Sequence, residues 1–435
     1  MARDMAAERE SARKRQQLPL LALGTLFAML CLPLIISTGT PNFADDERNY
    51  HVPAIRQIAA NWPALDLARD SLSATGPGYH YVLATISKPF GLGIGGLRFA
   101  NWTVSLAVLI LLHRYCAKYV GDLDAALLLA PLAASNFFIK SASWVVTDNA
   151  GLLLATLALL VALTPPRGAG GIVTLGLVSA ASVMVRQQNA WLAALPAALA
   201  AFEGADRKIR RWLALAATLP LAVLAYLYAE WGGLVPPAWQ QQAQQFSAAG
   251  VVYLSSVFGL LATFYLLAIL PSLRRFAPIK GLVGVAALGC GLALCTATTP
   301  DKEAGRWGGY LWNLAEHLPA LGSANLLFVF LCGLGTATAY VFARALLDAE
   351  HRREAVLFVV SLSAWASTFL LNRQAFHRYF EPTSLILLIV FGSMVLNRTG
   401  NPGVRRGALL ALTVIQLLIT LYTTHRVVWQ LTTSS

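Results

Sequence analysis

The sequence predicts an all-α, polytopic membrane protein of about 13 transmembrane spans. Its long first extracytoplasmic loop is expected to carry short helices. Three observations lead there. Of the 435 residues, 57% are hydrophobic and 12% charged, with a mean hydropathy of +0.60; an ordinary soluble domain carries about 25% charge. Apolar runs of about 16 to 22 residues, long enough to span a bilayer, recur from end to end. The basic residues are also sorted by side. With the N-terminus inside and the spans alternating, 21 of the 33 Lys and Arg fall in inside segments, as the positive-inside rule expects. The net charge of +12 therefore reflects cytoplasmic loops, not nucleic-acid binding.

Residues 1–17 form a basic cytoplasmic tail carrying Arg3, Arg9, Arg13, Lys14 and Arg15. Residues 18–435 form one transmembrane domain. The run Leu18 to Ile36 is too long for a typical signal-peptide core and no clear cleavage site follows it, so it reads as a retained first span. Residues 37–96 then form the extracytoplasmic loop, with an amphipathic helix over Val52 to Trp62 and a turn at Thr75-Gly76-Pro77-Gly78. The apolar stretch 79–93 is broken by Lys88-Pro89 and reads as a half-span or an interfacial helix. Further spans are expected at 97–114, 123–139, 148–164, 171–185, 188–202, 211–229, 251–270, 281–299, 324–344, 355–371, 380–397 and 405–424. The pair 171–185 and 188–202 demands a tight turn at Arg186-Gln187-Gln188-Asn189. The five cysteines form no C-x-x-C pair and sit in or beside apolar runs, as small packing residues do.

The polar clusters with chemical potential all fall on the outside face. Directly after the first span come Asp45, Asp46 and Glu47, and then His51. Acids at this depth are costly unless solvated, paired or used. One of them can serve as a general base toward a sugar hydroxyl, and adjacent acids raise one another's pKa. The alternative is an N-terminal helix cap. The loop 372–381 offers Arg373, His377 and Arg378, with Arg186 and Arg306 as further cations. Guanidinium forks suit phosphate oxygens. A polyprenyl-phosphate sugar carries one negative charge before transfer and approaches two after it, so cations there stabilise the transition state more than the ground state. His51, Tyr79, Gln187, Asn189, Asp301, Trp307 and Trp312 are candidates for holding the acceptor or the sugar. Aromatics such as Trp307, Trp312, Tyr379 and Phe380 equally suit a membrane-interface belt. No cofactor is implied. A divalent metal at His51 or His377 beside Asp45 or Asp46 lacks ligand spacing and is not favoured.

With these residues in view, the chain resembles the eukaryotic α-1,2-glucosyltransferases that add the terminal glucose to the lipid-linked oligosaccharide, members of the GT-C superfamily. Their D-E-x-F-H-x-P segment is similar to Asp46-Glu47-Arg48-Asn49-Tyr50-His51-Val52-Pro53, with one extra residue before the aromatic. Their T-x-P-G-x-Y turn and following K-P resemble Thr75-Gly76-Pro77-Gly78-Tyr79 and Lys88-Pro89. L-R-F-x-N resembles Leu97 to Asn101, and F-R-Q-T-N-x-x-W resembles Val185 to Trp191. A late D-N-R-x-Y-x-F-Y-x-W is loosely similar to Asp301, Arg306, Trp307, Tyr310 and Trp312, and F-R-Y-F-x-x-P to His377 through Pro382. The resemblance implies a GT-C-like bundle and inverting transfer of a hexose, glucose first, from a polyprenyl phosphate to a glycan or lipid-linked acceptor. It also implies Asp46 as the base, with Asp45 the alternative. The Ala- and Arg-rich composition suggests a bacterial chain in the inner membrane with its site facing the periplasm. A eukaryotic chain would sit in the endoplasmic reticulum with a luminal site. Two rivals stand beside this reading. One is a transporter or flippase of a lipid-linked sugar, which needs ionisable groups along a path through the bilayer. The other is a glycan ligase or polymerase using a lipid-pyrophosphate donor.

Overall fold

The computed structural model of the protein describes residues 2–37, 44–164, 168–202, 206–243, 245–269, 277–396 and 401–433. Asn42 and Phe43, and the inside-face arginines Arg167, Arg274, Arg275 and Arg398, lie outside the described residues.

The chain is an integral, multi-pass helical bundle. Its helices are α1 (Ala2–Ile36), α2 (Val52–Asn61), α3 (Leu67–Asp70), α4 (Gly78–Phe90), α5 (Ile94–Val120), α6 (Asp122–Ala133), α7 (Asn136–Ser143), α8 (Asp148–Leu163) and α9 (Ala169–Val185). Then follow α10 (Ala194–Phe202), α11 (Arg207–Trp231), α12 (Gln240–Ala243), α13 (Ala249–Ile269), α14 (Ile279–Leu294), α15 (Tyr310–Ala315), α16 (Leu326–Asp348), α17 (Arg352–Thr368), α18 (Glu381–Leu396) and α19 (Pro402–Thr433). A two-residue hairpin, Ala320–Leu321 against Ala324–Asn325, is the sheet formed among the described residues.

A helix or helix pair lies at each predicted span. Among the described residues, eight helices are long and apolar enough to cross a membrane, or nine if the bent pair α6–α7 is one span. The apolar helices α8, α9 and α14 are shorter, at 16, 17 and 16 residues. The predicted span 123–139 is broken: α6 and α7 meet at 75°. Pro131 lies near the end of α6, and Ser135 caps α7 by accepting from the Phe138 amide at 3.3 Å. Proline and a capping serine are established causes of such a break. The tight turn after α9 is real: Arg186 is extended, and a 3-10 turn (Gln187–Ala193) leads straight into α10.

α18 is apolar nearly all round, and every residue but Thr383 is buried, so it runs through the middle of the bundle. Its N-terminal end faces the segments predicted to lie outside. Those segments bond to one another: Gln187 to Ala74 and Leu234, Ser247 to Leu370, Ala375 to Gly305. The opposite end is tied separately. There Asp124 accepts from Arg405 and, at 2.7 Å, from Arg406, and Arg353 donates to the Ala162 carbonyl.

The long first loop folds onto this frame for legible reasons. A Cβ at Gly76 would stand 2.1 Å from the Met184 carbonyl oxygen, and one at Gly78 3.0 Å from it, so the turn needs glycine to pack on the end of α9. Residues 79–93 form α4, which ends at Gly91 in the left-handed conformation (φ 57°) and packs on α2 through Val52, Ile55, Ile58, Tyr79 and Leu83.

Candidate active site

Three adjacent acids leave the first span, and the fold sends each to a different environment. Asp45 is more than half exposed and pairs with the equally exposed Arg48 at 3.3 Å. Glu47 is fully buried. Arg98 grips it with two bonds, Nη2 to Oε1 at 2.5 Å and Nε to Oε2 at 3.0 Å, and the Val145 amide adds a third at 2.7 Å. Arg98 also donates to the Ser37 carbonyl at 2.8 Å. This corrects one expectation: Glu47 is no base for an incoming hydroxyl, because both its oxygens are committed and solvent does not reach it. It fastens the end of α1 and the α7–α8 connection to α5. Breaking a buried pair leaves an uncompensated charge, at about 3–5 kcal/mol. Glu47→Ala is therefore expected to drop the apparent Tm in detergent sharply, while Asp45→Ala stays near wild type. Equal, small shifts for the two variants would contradict this division.

Asp46 is the acid that pairs with an arginine of the cavity wall. It makes no helix-capping bond. Arg378, 332 residues along the chain, donates from Nη1 to its Oδ2 at 2.5 Å, with the two side chains 35% and 34% exposed. A second ion pair lies alongside: Arg186 Nη1 to Asp148 Oδ1 at 2.6 Å, both 12% exposed. Both guanidiniums lie over the Tyr379 ring, Arg378 5.2 Å and Arg186 5.1 Å from its centroid. Such contacts add about 0.5–2 kcal/mol each. Arg378 Nε is buried with no hydrogen-bond partner among the described residues, a donor left for something else. A Cβ at Gly151 would come within 3.0 Å of Arg186 Cδ, so the glycine lets α8 lie against that arginine.

Asp148, Arg186, Asn189, Arg378 and Tyr379 line a small polar cavity of about 40 Å³. Arg186 and Tyr379 also line a neighbouring cavity of about 150 Å³, whose other walls include Leu224, Leu234, Val235 and Leu371. Polar head and apolar extension thus share one wall.

The other candidates divide plainly. Gln187 donates to the Ala74 and Leu234 carbonyls at 2.9 and 3.2 Å, clamping two loops together at the larger cavity. Asn189 donates to Ser182 Oγ at 2.8 Å beside Arg186. His51 Nδ1 lies 2.8 Å from His80 Nε2. Burial, with Arg378 and Arg186 adding to it against the pull of Asp148, holds the His51 imidazole down to about 3. It is neutral near pH 7 and brings no charge to a phosphate. Tyr79 is buried edge-on to His80.

His377 is wholly buried between Glu381, 3.0 Å from Nε2, and Tyr253, 2.7 Å from Nδ1. It cannot touch a phosphate, which corrects its expected role. Arg306 donates to the Thr299 carbonyl at 2.7 Å and to Asp301 at 3.1 Å, closing its own turn. Arg306 and Asp301 therefore stay outside the cavity walls. The Ala304 amide, then Arg306, hold the Asp301 carboxyl below its usual range against some desolvation, and the Arg373 backbone packs on Gly305 of the same turn. Trp312 is buried, stacks on Tyr253 at 4.6 Å and donates to the Ala375 carbonyl at 2.8 Å. Trp307 packs edge-on against Phe376 and stays 44% exposed. No group of three or more His, Cys, Asp and Glu suited to a metal occurs among the described residues.

Asp148 is the member that sequence reading missed as a site residue. Its signal was an acid opening an otherwise apolar helix, and it carries weight only once Arg186 is seen opposite. Tyr379, taken for interfacial belt, was missed for the same reason.

No protein-family model matches the chain, and neither does any curated protein. Among solved structures, it is similar to the apo form of the Archaeoglobus fulgidus oligosaccharyltransferase (TM-score 0.49, 15% identity), over 93% of this chain and 55% of that one. It is also similar to ArnT from Cupriavidus metallidurans bound to undecaprenyl phosphate (TM-score 0.39, 12% identity), over 87% of this chain and 77% of that one. The chain thus spans about half the length of the archaeal enzyme.

Proposed function

We propose that this protein is a membrane glycosyltransferase of GT-C type. It moves a hexose, glucose by the motif resemblance, from a polyprenyl phosphate to a hydroxyl of a glycan or lipid-linked acceptor. The reaction runs with inversion on the non-cytoplasmic face, which in a bacterial chain is the periplasmic side of the inner membrane. The observation that carries the reading is the Asp46–Arg378 contact at 2.5 Å, whose arginine lines the small polar cavity adjoining the apolar one. It joins an acid past the first span to a guanidinium near the chain's far end, where an anionic head with an apolar chain fits.

Asp46 takes the proton of the acceptor hydroxyl. The hydroxyl oxygen forms a bond to the anomeric carbon. The bond from that carbon to the phosphate oxygen breaks, and its electron pair leaves with the phosphate. Arg378, backed by Arg186, meets the charge that grows there, which lowers the barrier because the interaction is stronger in the transition state. Leu224, Leu234, Val235 and Leu371 receive the first isoprene units.

Charge supports a monophosphate donor over a pyrophosphate. Each guanidinium is neutralised by its own carboxylate. The Asp148–Arg186 pair is nearly closed to solvent, whereas Asp46–Arg378 is one-third open and is the easier of the two to separate. One exchangeable cation matches the single negative charge of a phosphodiester. Purified protein in detergent should transfer label from a polyprenyl-phosphate hexose, with and without chelator, and not from the matching pyrophosphate. Transfer from the pyrophosphate alone would replace this reading with a ligase, and vesicle transport without transfer would replace it with a flippase.

A further inference from the structure

Glu381 is a fully buried acid at the first position of α18. Three donors converge on it from three directions. Ser135, at the α6–α7 break, reaches Oε1 at 2.5 Å; Tyr310 of α15 and His377 Nε2 both reach Oε2, the latter at 3.0 Å. The other face of His377 meets Tyr253 Oη of α13 at 2.7 Å. Phe137 and Tyr310 enclose the imidazole, with centroids at 5.0 and 4.0 Å. Gly309 (φ +142°) closes over it: a Cβ there would stand 2.3 Å from His377 Cβ. A buried acid is a poor source of net stability in an apolar bundle, but it can specify one arrangement of its neighbours.

The residue so bracketed is Arg378. His377, Arg378 and Tyr379 form one 3-10 turn. Successive side chains on such a turn point about 120° apart, so pinning His377 inward aims Arg378 outward at Asp46. The turn is held from both sides: the His377 amide donates to the Gly308 carbonyl at 3.0 Å, and Glu381 fixes the imidazole at the start of α18. We infer that Glu381 and Tyr253, acting through His377, are positioning residues that hold the Arg378 guanidinium at the anionic head of the donor. This inference rests on the reading of Arg378 given above. The side chains themselves touch no ligand.

The test is binding of undecaprenyl phosphate to detergent-purified protein, with donor KM and kcat measured alongside. Glu381→Gln is expected to weaken binding by about tenfold, raising KM more than it lowers kcat, since a shift of about 1 Å in a positioned group is enough for such losses. Glu381→Asp should restore part of it. In an Arg378→Lys background the same Glu381→Gln change should add little, because both act through one guanidinium. Additive losses, or wild-type binding by Glu381→Gln where Arg378→Lys has lost it, would overturn the inference. Should Glu381→Gln fail to fold, Tyr253→Phe decides: it keeps the ring and removes only the hydroxyl on His377. Weaker binding there supports the inference, and unchanged binding overturns it. If Arg378→Lys itself binds like wild type, the reading of Arg378 fails first and the inference falls with it.

Discussion

Asp46→Asn is expected to lower turnover by about 10²–10⁴-fold, the range lost with a general base, and at the same time to tighten binding of polyprenyl phosphate. The second half is the more telling. Arg378 Nη1 is held by Asp46 Oδ2. A phosphate must take that guanidinium away from the carboxylate before the carboxylate can accept a proton. Removing the competing charge frees the arginine. Solvent-exposed pairs are worth about 0–1 kcal/mol and this one is two-thirds buried, so tightening of about fivefold or more is expected. Steady-state rates and a binding isotherm on the same preparation check both halves. A near-wild-type rate would exclude Asp46 as base, and lost turnover with unchanged binding would leave it a base that does not compete for the arginine. Asp45→Asn serves as the control, since among the described residues Asp45 pairs with the exposed Arg48.

Arg378→Lys is expected to cost about 10²–10³ in kcat, comparable to removing one preorganised donor from a developing anion. Lysine keeps the charge but loses the planar fork, the stacking on Tyr379 and the buried Nε now without a partner, so the substitution is not conservative here. Donor KM should rise with it. Arg306→Lys should leave donor KM unchanged, because Arg306 spends its donors on Thr299 and Asp301. A donor KM that moves equally for both arginines would mean that general positive potential, not the Arg378 geometry, attracts the lipid.

The motifs behind the family resemblance turn out to serve two ends. In Leu97 to Asn101, Arg98 pins Glu47 and Asn101 donates to the Ser141 and Trp144 carbonyls, so that motif is scaffold. In Val185 to Trp191, Arg186 faces the cavity while Gln187 ties down the loops around it. A one-dimensional pattern weighs these residues alike; burial and partners separate them.

The sequence by itself determined the helical, membrane-spanning character and singled out the polar clusters between spans as candidates for chemistry. These follow from composition and periodicity, which act locally along the chain. Only the tertiary structure decided which of three adjacent acids is locked in a buried pair, that His377 is buried while its neighbour Arg378 is not, that Asp148 stands opposite Arg186, and that one predicted span breaks at Ser135. Each of those depends on what comes into contact across tens to hundreds of residues, and in an apolar bundle the choice of partner sets whether a charge is fixed scaffold or exchangeable site.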